Sequence, residues 1–421
     1  MKRRVLASML SVVLSVGLLA GCGGDSGSTG SDSSSGSSDK DVKLSVFDAK
    51  AYGTEEFDAI LADYGEKNGL SIEVQHSPND YDALVMSRFN SDDIPDILAL
   101  QVGSSAQQYY EYAYDWSDDT EVLELFNEDA IATGKDADGN VMSLPGTYET
   151  MGLLYNKDLF EQAGITELPA TISEMEAVCE KLTAAGITPF AVAGKELWVL
   201  HQLASNFMMD KSLEAQGVAD QLNSGELTFE ELPNYKNLFP FLDLVIKYGS
   251  EKQLEYDWET SENMLANGEA AMIQMGDWCQ ATMDEFNPDA NLGFIPCPVS
   301  ENPEDATLLS SVSWTYIVNK DSEHLEEAKE LLTFMLTSDE MLDWMCNVIG
   351  NVPAAQGEFE VKGDLANEAA GYISAGKTNG WIHTLAPTGF QDEAGAAYQN
   401  YMLGNASAEE TTKLIQELWN E

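Results

Sequence analysis

Positive charge is scarce in this 421-residue sequence: 21 lysines and arginines stand against 72 aspartates and glutamates, a formal net charge of −51. Such an acidic surface repels phosphate backbones and anionic headgroups, which excludes nucleic-acid binding. Cysteine is also sparse, and no two of Cys22, Cys179, Cys279, Cys297 and Cys346 have CxxC spacing, so neither a zinc site nor a thioredoxin-type motif is indicated. The four beyond Cys22 leave two disulfides or none open, and buried thiols are the plainer expectation. Histidine is limited to His76, His201, His324 and His383, scattered and without an HExxH arrangement. Asp136, Asp138 and Asn140 look like half a calcium loop, but no glutamate closes it and the run reads as a tight turn. Neither a metal nor a cofactor is expected. Beyond residue 20 no apolar run is long enough to span a bilayer, and no repeat of fixed period is evident.

Apolar residues, by contrast, make up 44% of the chain, enough to bury a core and to exclude wholesale disorder; the length suits two or three domain-sized units. The N-terminus reads as an address. Lys2-Arg3-Arg4 precedes the uncharged stretch Val5 to Ala20, as in a secretory signal, and the stretch is short for a permanent span. Leu19-Ala20-Gly21-Cys22 resembles a bacterial lipobox, which implies a signal peptide over 1–21 and lipidation of Cys22. Residues 23–40 hold only Gly, Ser, Asp, Thr and a final Lys, so 22–40 is expected to be a lipidated cysteine followed by a flexible tether. Its r.m.s. span would be roughly 23 Å.

The body alternates strand and helix signals. Val42 to Phe47 alternates with period two, and Phe57, Ile60, Leu61 and Tyr64 recur as a helical stripe ending at Asn68-Gly69. Ile72 and Val74 begin a second strand, Tyr81, Leu84, Val85 and Arg88 mark a second helix, and Pro95 introduces the apolar run Ile97 to Leu100. Met151 to Tyr155 reads as a buried strand, Thr171 and Glu174 as a capping box, and Leu325, Ala328, Leu332 and Met335 as a late amphipathic helix. Strand–helix–strand order with short links predicts α/β layers.

Several of these stretches together resemble the extracellular solute-binding proteins of carbohydrate ABC importers (family 1, maltose-binding-protein-like). The stretches are Ile94-Pro95-Asp96-Ile97, Asp138-Gly139 leading to Leu144-Pro145, and Leu154-Tyr155-Asn156-Lys157-Asp158-Leu159-Phe160. They continue with Pro169 to Glu174, Gly268-Glu269-Ala270-Ala271-Met272 running to Gly276-Asp277-Trp278, and Ala328 to Ser338 with Asp339-Glu340. The resemblance implies an α/β, two-lobed periplasmic-binding-protein-like fold of type II, with an interlobe ligand cleft and hinge strands. By analogy the chain crosses between lobes near Pro145 to Thr150, Leu292 to Pro296 and Leu336 to Asp339. Lobe one is then 41–147 plus 295–337, and lobe two 148–294 plus 338–421.

Sugars present flat C–H faces and rims of hydroxyls, so a sugar site needs aromatic planes plus groups that both donate and accept hydrogen bonds. Trp278, after Gly276-Asp277, matches the family's stacking aromatic, and Asp277 beside it is a candidate acceptor. Trp198 after the strand-like Phe190-Ala191-Val192, Trp314 in Ser311-Val312-Ser313-Trp314, and Trp381 after Gly380 are further candidates. Phe390 with Asp392 would pair a plane with an acceptor in a turn-rich stretch. Tyr148 and Glu149 fall at the first hinge, and Lys50 and Gln101 follow predicted strands one and three, whose carboxyl ends face the cleft.

The resemblance thus implies a non-enzymatic lipoprotein receptor that closes on a sugar, an oligosaccharide by the number of tryptophans, and delivers it to membrane permease subunits served by a cytoplasmic ATPase. A monomer is expected, lipid-anchored on the extracytoplasmic face of the cell membrane, with the Gly/Ser tether suiting a Gram-positive surface. The alternatives are a same-fold receptor for a polyamine, iron or a glycerol phosphate, and a secreted glycoside hydrolase using two of the many carboxylates.

Overall fold

The computed structural model describes residues 42–50, 53–77, 81–210, 212 and 214–420. The expected signal peptide, Cys22 and the tether lie outside the described residues. Among the described residues no helix is long and apolar enough to cross a membrane.

Two β-sheets organise the body. The first takes β1 (Val42–Asp48), β2 (Leu70–His76), β3 (Ile97–Gln101) and β4 (Leu144–Pro145); the second takes β5 (Thr147–Asn156), β6 (Met272–Gly276), β7 (Leu292–Ile295) and β8 (Leu308–Val312). The chain then returns to the first sheet with β9 (Trp314–Val318) and ends in the second with β10 (Val352–Pro353) and β11 (Thr378–Asn379). The order of the first sheet is β2-β1-β3-β9-β4, with β1, β2 and β3 parallel and β9 antiparallel to both its neighbours. The order of the second is β10-β5-β8-β11, with β6 and β7 also pairing with β5. The parallel β1–β3 run follows from the strand–helix–strand spacing, because a helix returns the chain to the same end of the sheet.

Each sheet has its own core. Leu44, Val46, Phe57, Leu61, Ile97, Leu98, Ile317 and Val318 gather around the first, while Leu153, Leu154, Phe190, Leu203, Phe241, Ile273, Phe294 and Tyr398 gather around the second. Local signals set the helices that cover them. In the helix Ile172–Ala184, Thr171 Oγ1 accepts from Glu174 N (3.2 Å) and Glu174 Oε2 accepts from Thr171 N (3.1 Å), a capping box worth about 1 kcal/mol. That helix buries Met175, Val178 and Leu182 on one face, as their spacing predicts.

Where the chain changes sheets differs in part from expectation. The first change is at Gly146, between β4 and β5. The second is at Ser313, between β8 and β9, not near 292–296, because β7 and the Cys297–Thr307 bridge remain in the second sheet. The third comes after Asn347 and not near 336–339: Met341, Trp344, Met345 and Ile349 pack in the first core, and only Val352 and Pro353 reach β5. The edges anticipated at 295 and 338 therefore do not coincide with where the cores divide. The strands 144–156 and 308–318 run antiparallel beside each other through both sheets, from Leu144–Tyr316 to Met151–Leu309. Gly146 N donates to Trp314 O (2.9 Å) and Ser313 N to Thr147 O (3.2 Å), while Ala354 N donates to Gly146 O (3.0 Å) and Val102 N to Ser313 O (3.0 Å). The four cysteines beyond Cys22 are buried free thiols.

Candidate functional site

Polar groups converge where this two-sheet ribbon passes from one core to the other. From the first sheet come Asp48, at the end of β1, and Lys50 just beyond it. Asp48 is buried and accepts from Tyr316 Oη (2.8 Å) and from Lys50 N (2.8 Å). Tyr81 Oη lies within hydrogen-bond reach of Phe47 O (3.0 Å) and Ala99 O (2.8 Å), and its ring meets the edge of Trp314 at 5.8 Å. Lys50 Nζ sits over the Trp344 ring at 5.9 Å, and Trp344 Nε1 donates to Gly53 O. Lys50, Gly146, Thr147, Trp314 and Trp344 line a narrow cavity with room for about one water molecule.

From β5, which belongs to the second sheet, Glu149 projects into the same region. It is buried and accepts from Asn351 Nδ2 (3.0 Å). Burial pushes its carboxyl up, while Lys50, Ser313 and Asn351 pull it back. Next to it Asp277 accepts from Thr150 N (3.0 Å), and burial, with the nearby charge of Glu149, holds it well above the usual carboxylate range. The two acids belong to one buried group, so ionising one opposes ionising the other.

The aromatic side of the site is built by the second sheet. Trp278 sits in a short turn (Asp277–Cys279) directly after β6, half-buried, with its edge on Trp381 at 6.1 Å and 82°. Gly276 makes this fold-back possible: a Cβ there would lie 2.0 Å from the Trp278 ring. Trp381 is buried and lies 4.9 Å from the His383 ring. The two sheets' loops touch here. Ser104 Oγ donates to Ala386 O (2.5 Å), and Gly103, with φ of +84°, lies so close that a Cβ would be 1.8 Å from Thr384 O. Only glycine fits that position. A separate cavity of about 180 Å³ opens between Gln280, Ala281 and Asp284 on one side and residues 348–350 on the other.

The structure thus brings Lys50, Glu149, Asp277 and Trp314 to one region and Trp278 and Trp381 into mutual contact. Gln101 ends β3 opposite Trp314, half-exposed. Tyr148 points to the other face of β5, where its hydroxyl donates to Asp129 Oδ2 (2.8 Å). Trp198 is the second residue of a buried helix (Leu197–Asn206), half-buried and packed against the second core. The pairing of Phe390 with Asp392 is not realised. Gly389, at φ +86°, starts the helix Phe390–Met402 and turns Phe390 into the core against Trp419 (5.0 Å) and His201 (5.3 Å), while Asp392 stays on the exposed face. Asp48, Asn351, Tyr316 and Trp344 were not anticipated, because nothing in their local sequence marks them as facing the seam. His201 and His383 carry no sequence motif that would pair them.

Comparison with known proteins gives these arrangements a context. A profile of bacterial extracellular solute-binding proteins matches residues 50–342. The chain is 25% identical over 282 residues to the melibiose/raffinose/stachyose-binding protein MelE of Bacillus subtilis, covering 64% of each chain. It is 25% identical over 345 residues to the multiple sugar-binding protein of Streptococcus mutans, covering 77% of this chain and 78% of that one. With an ABC transporter extracellular-binding protein of Pyrococcus horikoshii it shares 28% identity over 189 residues, spanning 44% of this chain and only 40% of that one. Among solved structures, the binding protein RafE in complex with raffinose superposes with a TM-score of 0.77 at 18% identity, over 90% of this chain and 99% of RafE. The fold is that of the two-sheet, type II solute-binding proteins.

Proposed function

The chain belongs to the bacterial extracellular solute-binding proteins, and from that premise we propose that it is the receptor of an ABC importer, capturing an uncharged oligosaccharide between its two sheets. The observation that carries this reading is the Trp278–Trp381 edge contact, next to an Asp277 carboxyl that burial drives toward the neutral form. An aromatic face takes the C–H side of a sugar ring, and neutral donors and acceptors take its hydroxyls. That MelE is named for melibiose, raffinose and stachyose and the Streptococcus mutans relative for multiple sugars supports an oligosaccharide ligand.

The mechanism follows from the two-part architecture. A ligand that touches both sheets favours the arrangement in which both sets of contacts exist, so it shifts the balance toward closure by its differential affinity. The Ser104–Ala386 contact supports reading this arrangement as a closed one, which a saccharide would enter after the halves part. The product of binding is the same molecule, unaltered, passed to permease subunits served by a cytoplasmic ATPase. That the relatives are binding proteins supports a non-enzymatic role. The N-terminal sequence supports lipidation at Cys22, tethering outside the membrane and a Gram-positive surface, and the tethered receptor is proposed to act as a monomer.

A thermal-shift and calorimetric comparison of raffinose, stachyose, melibiose and spermidine tests the reading. A saccharide at 100 times its Kd is expected to stabilise the protein by about 2.7 kcal/mol. Stabilisation by spermidine alone would sink it.

A further inference from the structure

Beside Trp381 lies a group of polar atoms that the protein itself does not satisfy. His201 is fully buried on the helix Leu197–Asn206, and His383 is 4% exposed in the short turn Ile382–Leu385. Their rings meet edge to face at 6.3 Å, and neither nitrogen of either ring has a hydrogen-bond partner. The indole Nε1 of Trp381 is likewise buried and unpartnered. Leaving such groups unpaired is costly, so several in one place need a reason.

Their chemistry narrows what they would accept. Burial drives both imidazoles toward the neutral form, His201 to about 3 and His383 well below its ordinary value. A neutral imidazole offers one donor and one acceptor, so with the indole the group presents three donors and two acceptors and no charge. An anion calls for donors alone and a cation for acceptors alone, whereas a hydroxyl both donates and accepts. Among the described residues no three His, Cys, Asp or Glu side chains come together to hold a metal ion. Position agrees: His383 precedes Thr384, whose carbonyl lies against Gly103 of the first-sheet half, and follows Trp381, which touches Trp278.

We propose that His201, His383 and the Trp381 indole form an uncharged polar pocket that takes hydroxyls of the bound saccharide and thereby selects it by hydroxyl pattern, an inference that rests on the saccharide reading above. The test uses the full chain labelled with 15N-histidine; with only four histidines, each ring is assignable. On adding raffinose, melibiose or stachyose, the ring nitrogens of His201 and His383 are expected to shift while those of His324 do not. His383→Leu should weaken binding about tenfold, and His383→Asn, which restores a donor and an acceptor, should recover part of it. The spectrum of the unsubstituted protein decides the matter if His383→Leu does not fold. Saccharide binding heat with unmoved His201 and His383 nitrogens would overturn the pocket and leave the receptor reading standing. Absence of binding heat for all three saccharides would remove both.

Discussion

The two sides of the seam solve the same problem differently. Along the seam the first-sheet groups have partners, although Trp116 Nε1 and His76 Nδ1 elsewhere in that half do not: Asp48 is met by Tyr316 and Lys50 N, Tyr81 by two carbonyls, Trp344 by Gly53 O. On the second-sheet side, His201, His383, Trp381 Nε1 and both oxygens of Glu262 are buried without partners. A satisfied network holds its groups in place; an unsatisfied one is costly, and its cost changes whenever a proton or ligand arrives. The contrast teaches that, along the seam, the first-sheet groups are paired in advance and the second-sheet groups are not.

The largest expected effect comes from breaking that contrast at Glu262. Burial pushes its carboxyl up to about 9, with the Cys279 side chain pulling it back in part. Its folded pKa lies above the unfolded one, so the stability it contributes is complete below about pH 4.5 and is lost as pH rises toward 9, at about 1.4 kcal/mol per unit. Glu262→Gln should therefore flatten urea midpoints between pH 5 and 8; a variant with the same slope as the parent would refute the assignment. On the satisfied side, Tyr316→Phe strips a donor from buried Asp48 and should cost about 1–3 kcal/mol in denaturant unfolding.

For ligand capture the asymmetry runs the other way. Trp278→Ala should lower saccharide affinity about 30-fold in calorimetry, with little change in the unliganded melting temperature, because the ring is half-buried. Unaltered affinity would take Trp278 out of the site. On the acid side, the lowered pKa values of His201 and His383 mean that stability is present above about pH 6.5 and declines below it, and His201→Phe should lessen that decline. The smallest effect is expected from Gly276→Ala, where a Cβ displaces the Trp278 ring; a fewfold loss of affinity would register it.

Much of the fold was legible because strands, stripes and caps are local. β1, β3, the Thr171 capping box and the helix from Leu325 sit where alternation and spacing predict. What failed was decided at long range. Phe390 follows a glycine in a turn-rich stretch, which looks like a loop facing solvent, yet that glycine starts a helix whose first residue meets Trp419. The strand 308–312 carries no local mark of which sheet it joins; only its pairing with β5 decides. His201 and His383 meet only because the helix Leu197–Asn206 and the turn Ile382–Leu385 pack together, so no spacing rule could pair them.

The crossing ribbon has one more consequence. At Gly146 and Ser313 both amides and both carbonyls are engaged, two of them by Val102 and Ala354 from outside the ribbon. Such crossings are beams, not ropes: their amide hydrogens should exchange with solvent as slowly as those inside the sheets, and an angular change imposed at one end must be felt at the other.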